Sequence, residues 1–379
     1  MDQNRNINKN VGCEKRKRGK RFLLTALVIA GIFILTVTLT FIFYSPHVDD
    51  RPHFSVVQNT DTRTDSDSEA SSPVYERKDG FYTFLVAGID AFSNNTDVLM
   101  LASLDTMGGK LEIVQIPRDT YINKTAGGYK SLTRINAVYA AAYNRQIGEG
   151  ASSRIAKERA MQDLVQRLSE ALCVNIDEYI LVDTKGFRGV IDAIGGIDYD
   201  VPCDMFYEDP AQDLYIDLKK GYQHLDGAQC EQLIRYRSGY ATGDIGRVEM
   251  RGDFMAEVFT QVKNKIGLEA MLKLIRDKEL MRQVRTSMSM MDMLAYVRMA
   301  YRLDDGAIGV RTLAGSVVQN PETGAWIYYC LNKKSALRDI NECLNIYKTD
   351  IDIAIFDREG FFSGTKGASD HYLYEYYNS

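Results

Sequence analysis

Residues 81–116 read FYTFLVAGIDAFSNNTDVLMLASLDTMGGKLEIVQI. Three apolar runs, FYTFLVAG (81–88), VLMLASL (98–104) and KLEIVQI (110–116), are separated by polar turns such as Met107-Gly108-Gly109, which is the pattern of short strands. The runs are nearly continuous in apolar character, so both faces of the sheet they form need cover. Downstream residues supply it. Ile155 to Leu172 sets Met161, Leu164, Val165, Leu168 and Leu172 at helical spacing; Phe187, Val190, Ile191 and Ile194 repeat that spacing until Gly195-Gly196 stops the helix. EYILVD (178–183) and IDYDV (197–201) flank it as strands. Further helices are predicted at 228–234, 246–266, 289–301 and 335–346, and further strands at 308–313 and 326–330. Together these make one three-layer α/β domain, residues 79–350.

Ahead of that domain, residues 22–44 (FLLTALVIAGIFILTVTLTFIFY) contain no charge and are long enough to cross a hydrocarbon core of roughly 30 Å as a helix. The run ends in Tyr44-Ser45-Pro46 without a small-x-small cleavage site, so it is read as a retained transmembrane helix and not a cleaved signal. Residues 1–21 carry eight Lys and Arg against Asp2 and Glu14, a net +6. Basic flanks stay in the cytoplasm, so the tail is cytoplasmic and the 335 residues after the span are extracytoplasmic. Residues 45–78, rich in Asp, Ser, Thr and Pro, read as a disordered stalk, and 351–379 as a Tyr-rich C-terminal tail.

Since the whole chain is at −5, the part beyond the span carries −11, which argues against nucleic acid as partner. Any anionic substrate then needs a local basic site. Five of the six cysteines follow the span without CxxC spacing; they read as small buried hydrophobes, with Cys330 and Cys343 the one pair considered for a bridge. The four histidines fall in the stalk (His47, His53), a Gly-rich turn (His224) and the tail (His371). With no GxSxG elbow and no P-loop, a Ser-His-Asp hydrolase is excluded as the leading reading.

Carboxylates and arginines at strand ends remain, where ligand sites of α/β sheets form. Asp90 closes the first strand and Asp97 opens the second, a pair able to hold a hard divalent ion with phosphate oxygens and water. Arg118 follows the third strand. Arg235 and Arg237 alternate along extended chain, while Arg247 and Arg251, four apart, share a helix face. Five guanidiniums converging would clamp a pyrophosphate through paired, charge-assisted bonds. On the residues alone, the carboxylates are as readily turn or cap residues, and the arginines a solvated face.

The order Gly88-Ile89-Asp90, Thr96-Asp97, Ile116-Pro117-Arg118-Asp119-Thr120, Arg134-Ile135-Asn136, Asp192-Ala193-Ile194-Gly195-Gly196-Ile197, Gly221-x-x-x-Leu225-x-Gly227, Arg235-Tyr236-Arg237 and Gly243-Asp244-x-Gly246-Arg247 resembles the LytR-CpsA-Psr family. The resemblance covers about residues 80–350 and implies an α-β-α sandwich with a mixed central sheet enclosing an apolar tunnel for a prenyl chain. It also implies a transferase that moves an anionic glycopolymer, such as teichoic acid or capsule, from a polyprenyl-pyrophosphate carrier to peptidoglycan through a phosphodiester. Carried over by position, Asp90 and Asp97 match metal-linked aspartates for Mg2+, or Mn2+ in its place. Arg118, Arg235, Arg237 and Arg247 match pyrophosphate-binding arginines, and Asp90, Asp97 and Arg118 carry the catalysis. Two positions depart from the pattern: Asn95 stands where an arginine is usual, and Arg251 where a glutamine is usual. Arg251 is expected to restore the lost cation and join the pyrophosphate clamp. The general base stays open among Asp90, Asp97 and Asp119. Two other functions also stay open, hydrolysis of the carrier pyrophosphate by water and binding of polyprenyl pyrophosphate without turnover.

Overall fold

The computed structural model describes residues 44–48, 75–90, 94–123, 134–210, 214–236, 244–304, 306–319, 326–357 and 360–362. Along the chain run β1 (Phe81–Ile89), β2 (Thr96–Asp105) and β3 (Lys110–Gln115), then α1 (Val138–Gly148), α2 (Ser153–Leu172), β4 (Glu178–Asp183) and α3 (Thr184–Ala193). Short strands β5 (Ile197–Val201), β6 (Met205–Asp209), β7 (Leu214–Leu218) and β8 (Gly221–Leu225) lead to α4 (Gly227–Arg235) and α5 (Asp244–Lys265). The last third holds α6 (Leu268–Arg276), α7 (Lys278–Gln283), β9 (Val284–Thr286), α8 (Met290–Ala300), β10 (Ile308–Thr312), β11 (Gly315–Gln319), β12 (Trp326–Leu331) and α9 (Lys333–Cys343).

The central sheet is mixed, in the order β10-β3-β2-β1-β4-β9. β1, β2 and β3 are antiparallel neighbours, whereas β4 runs parallel to β1 and β10 parallel to β3. Because strand side chains alternate between faces, β1 and β2 each feed two cores. Leu85, Ala87, Leu99 and Leu101 pack with Val138 and Tyr139 of α1 and Met161, Leu164 and Leu168 of α2. On the other face Phe84, Val86, Met100 and Ala102 pack against Met255 and Phe259 of α5, and Tyr82 against Tyr296 of α8. The sheet is therefore covered on both sides, which is why its strands read as continuous apolar runs.

A separate core sits beside the sheet, where Ile191, Val201, Ile216, Leu225, Leu233 and Phe254 bring α3, the β5–β8 strands, α4 and α5 together. Gly196 (φ 84) turns the chain into β5, and a Cβ there would lie 2.4 Å from His224 Nε2. The β6–β7 hairpin, β8 (which carries His224, expected in a turn), β9, β11 and helices α1, α6 and α7 are elements the sequence does not announce. In β6, Phe206 and Glu208 both face out, so polar and apolar residues do not alternate cleanly.

Ordered packing extends past both expected domain boundaries. Tyr75, assigned to the stalk, is buried edge-on against Tyr347 with ring centroids 5.3 Å apart. Arg77 donates to both carboxylate oxygens of Asp177 at 2.9 and 2.6 Å, and Asp177 also accepts from Thr83 N at 2.8 Å. Ile351, Phe356, Phe361 and Phe362, assigned to the tail, join the main core. These side chains sit in irregular backbone, where no periodicity announces burial. Tyr44–Val48, also beyond the expected domain, lies on α8: Tyr44 Oη donates to Asp292 Oδ1 at 2.6 Å and Arg298 Nη2 to Tyr44 O at 2.6 Å.

Residues 1–21 and all of the expected span except Tyr44 lie outside the described residues. Among the described residues no helix is long and apolar enough to cross a membrane. None of Cys173, Cys203, Cys230, Cys330 and Cys343 is in a disulfide, so the Cys330–Cys343 bridge does not form; four of the five are buried.

Candidate active site

The parallel pair β1 and β4 ends at Asp90 and Asp183, and antiparallel β2 starts at the same end with Asp97. The turn between β1 and β2 is closed by Asp90 N donating to Asn95 O at 3.0 Å and Asn94 N to Asp90 O at 2.9 Å, with Asn94 in the left-handed region (φ 54). Asparagine tolerates that conformation better than most residues. The turn thereby delivers two carboxylates to one rim.

Beneath that rim lies a cavity of about 280 Å3. Its body is apolar, formed by Val86, Val98 and Met100 of the sheet, Phe187, Val190 and Ile191 of α3, Ile234 of α4, and Met255 and Val258 of α5; Tyr207 and Leu214 of the hairpin close one side. Asp90, Asp97, Glu231, Arg235 and Arg251 also line it. The chamber thus combines a wall suited to a hydrocarbon with a charged end in which Asp90, Asp97, Asp183 and Glu231 stand beside Arg235 and Arg251.

Arg118 lies in the loop after β3, where Thr120 N and Oγ1 both donate to Pro117 O, at 3.0 and 2.6 Å. From there Arg118 Nη1 donates to Asp97 Oδ1 at 3.0 Å. The pair is partly exposed, so its worth to stability is at most about 1 kcal/mol. Its consequence is geometric, since it joins a predicted metal ligand to a predicted phosphate-binding cation. Asp119 lies 3.5 Å from both Arg118 Nε and Arg134 Nη1, which makes it an ion partner of two arginines.

Helix α4 brings Arg235 to the cavity. Asp226 and Gln229 form a capping box at its start, and Gly227 N donates to Asp192 Oδ1 at 2.7 Å. A Cβ on Gly227 would fall 2.4 Å from Arg188 O, so α3 and α4 pack in backbone contact only because that position is glycine. Arg235 Nη1 donates to Glu231 Oε1 at 2.9 Å, and Arg188 reaches the other oxygen of the same carboxylate. Glu231 is 2% exposed and was not anticipated; the i,i+4 spacing to Arg235 was its one visible signal.

Arg251 departs most from expectation. It is buried, with Nε and Nη2 donating to Ile234 O at 2.8 and 2.6 Å and Nη1 to Asp97 O at 3.1 Å. Ile234 O belongs to the last turn of α4, where carbonyls lack intrahelical partners. Arg251 therefore caps α4 and ties it to the start of β2, joining the elements that carry Arg235 and Asp97. Asn95 lies in the β1–β2 turn and takes no part in those bonds. Arg237 lies outside the described residues; Arg247 falls on α5, its side chain outside the described ones.

Among the described residues no group of three or more His, Cys, Asp or Glu forms a metal cage. The two-carboxylate rim of Asp90 and Asp97 fits a different kind of site, one in which Mg2+ keeps several waters and takes its remaining ligands from a phosphate.

Comparison with known proteins decides the family. Residues 53–344 match the model of the LytR_cpsA_psr family. The chain belongs to the LytR-CpsA-Psr family. Relatives within it include TagV of Bacillus subtilis, a polyisoprenyl-teichoic acid–peptidoglycan teichoic acid transferase, 29% identical over 186 residues that make up 48% of this chain and 43% of TagV. TagU of Bacillus licheniformis, which carries the same description, is 24% identical over 86% of this chain and 96% of its own. This chain thus spans less than half of TagV but nearly all of TagU. In fold it is similar to TagT bound to LIIa-WTA, with a TM-score of 0.55 at 17% identity over 72% of this chain and 92% of TagT. The mixed sheet with helices on both faces is the architecture expected of a LytR-CpsA-Psr domain.

Proposed function

We propose that this protein is a membrane-anchored transferase that moves an anionic glycopolymer from a polyprenyl-pyrophosphate carrier to peptidoglycan, forming a phosphodiester. The observation that carries the reading is a cavity whose apolar body ends in Asp90, Asp97, Asp183, Glu231, Arg235 and Arg251. A prenyl chain suits the wall and a pyrophosphate suits the charged end. The descriptions of TagV and TagU as teichoic acid transferases supply the polymer class and acceptor.

In this reading an acceptor hydroxyl of peptidoglycan attacks the phosphorus that bears the glycan. The bond from that phosphorus to the bridging oxygen breaks, the glycan phosphate becomes a phosphodiester, and polyprenyl phosphate leaves with the electron pair. Such a displacement needs positioning and neutralisation of charge more than covalent help. Arg118 and Arg235 supply cations, each held in place by a carboxylate, Asp97 and Glu231. Asp90 and Asp97 would hold Mg2+, which when bound lowers the charge on the phosphate oxygens. Arg251 keeps the frame. The acceptor hydroxyl gives its proton to one of the carboxylates Asp90, Asp97 and Asp119, of which Asp97 is paired with Arg118 and Asp119 with Arg118 and Arg134. An N-terminal anchor at residues 22–44, with the domain extracytoplasmic, keeps enzyme and carrier in one bilayer at high effective concentration.

The test incubates full-length protein with Mg2+, a polyprenyl-pyrophosphate-linked glycan and peptidoglycan fragments, and reads products by mass spectrometry. A phosphodiester-linked adduct, absent with Asp97→Ala and Arg118→Ala, is the expected result. Free phosphorylated glycan instead would replace transfer with hydrolysis, and intact bound donor would replace it with carrier binding alone.

A further inference from the structure

The sheet has two unlike ends. Asp90, Asp97 and Asp183 mark one. At the other, where β1 and β4 begin, Tyr296 of α8 packs edge-on against Tyr82 and Phe84, with ring centroids 5.1 and 4.8 Å away. Ser287, just ahead of α8, hydrogen-bonds Glu178 at the first residue of β4. Tyr44 is held at this second end by Asp292 and Arg298, Pro46 is buried, and Val48 packs into the cluster around Tyr296.

Tyr44 is the last residue of the 23-residue uncharged run, so the polypeptide enters this domain at α8 directly from its apolar segment. Tyrosines that end spans sit at the headgroup level, and the Tyr44 hydroxyl is used by the first turn of α8. That places the first turn of α8 at the same level. Two large apolar side chains there, Met290 and Met291, are 49% and 37% exposed. Met107, 79% exposed, projects from the β2–β3 turn at the same sheet end, where Thr106 N donates to Gly80 O.

We infer that the end of the domain formed by Tyr44, the first turn of α8 and the β2–β3 turn lies against the lipid bilayer, with Met290, Met291 and Met107 in the headgroup and upper acyl region. The inference rests on the membrane anchor proposed above and goes beyond it, because an anchor alone permits a domain hanging free. The orientation also agrees with the cavity. Its charged rim is at the far end of β1, about 26 Å from Tyr82 at ~3.3 Å per residue, and its apolar body reaches back along the sheet from that rim to Val86 and Met100. A prenyl tail seated there points toward the membrane it comes from.

The rival face is the β6–β7 hairpin with β8, whose Phe206, Tyr215 and Tyr222 are also exposed. It lies at the side of the cavity, where Tyr207 and Leu214 of the same hairpin form part of the wall.

The experiment uses full-length protein with Cys13→Ser and Cys203→Ser, reconstituted in vesicles of phosphatidylglycerol and phosphatidylethanolamine. A single environment-sensitive fluorophore is placed through Met290→Cys, Met291→Cys, Met107→Cys, Phe206→Cys or Ile147→Cys. The expected result is a blue shift at 290, 291 and 107, with quenching by lipids spin-labelled high on the acyl chain, and neither at 206 nor 147. Protein that floats with the vesicles but is quenched at no position, or only at 206, overturns this orientation while leaving the anchor intact. Protein that does not float overturns the anchor and the orientation with it.

Discussion

Replacing Arg251 by glutamine separates a clamp from a frame. Arg251 makes three bonds to two main-chain carbonyls, Ile234 O and Asp97 O, from a buried guanidinium. A glutamine amide recovers at most one of them. Bonds from a charged donor contribute about 1.5–3 kcal/mol each, so losing two costs about 3–6 kcal/mol. At about 2 °C per kcal/mol for a domain this large, the melting temperature should fall by about 6–12 °C. The assay is thermal unfolding by circular dichroism beside initial transfer rates. Both should drop, and adding Asn95→Arg should restore neither, because position 95 is in the β1–β2 turn and reaches neither carbonyl's role. Arg251→Gln with unchanged melting temperature and a rate rescued by Asn95→Arg would refute the frame argument and reinstate a simple exchange of cations.

Filling the cavity with Val190→Trp should weaken binding of a polyprenyl phosphate about tenfold, since displacing ~60 Å2 of apolar contact costs about 1.5 kcal/mol; fluorescence titration with a prenyl phosphate checks this, and a shorter prenyl chain should lose less. Burial pushes the thiols of Cys173, Cys230 and Cys343 up to about 12. Maleimide at neutral pH should therefore modify Cys203 but none of these three until the protein is unfolded, as intact mass would record. On the acid side, a hydrogen bond from Lys265, then one from His224, hold the Asp198 carboxylate below its ordinary 3.8. A lowered carboxylate stabilises the fold fully above 3.8, and that contribution disappears as pH falls through the native value; Asp198→Asn should flatten this part of a melting-temperature profile.

The sheet was legible because β1, β2 and β3 are covered on both faces, leaving runs of apolar residues that few other structures produce. That Asp90 and Asp97 meet at one rim was legible because they flank the short turn between two expected strands. Glu231 was not, since a Glu four residues before an Arg reads the same on an exposed helix face as in a buried one. Arg251 was legible in part: its place beside the cavity was expected, whereas its bonds to two main-chain carbonyls carry no sequence signature. Tyr75 and Phe356 were missed because residues packing from irregular chain have no period to betray them.

The core closes late. β3 pairs with β10, residues from Tyr75 meet Tyr347, and the final contacts come from Phe361 and Phe362. A chain delivered N-terminus first therefore emerges with β1, β2 and β3 able to pair with one another, but without β10 and without the α5 and α8 side chains that cover one face, through most of its synthesis. If it is exported unfolded, the sheet completes only after the last residues have cleared the translocation channel. During that interval the apolar runs of β1 to β3 are open to extracytoplasmic proteases and chaperones. A stop codon at the end of the family-matched region, near residue 344, would remove the closing aromatics while sparing every candidate site residue. The damage from such a lesion would be to closing the core, with every candidate site residue still encoded.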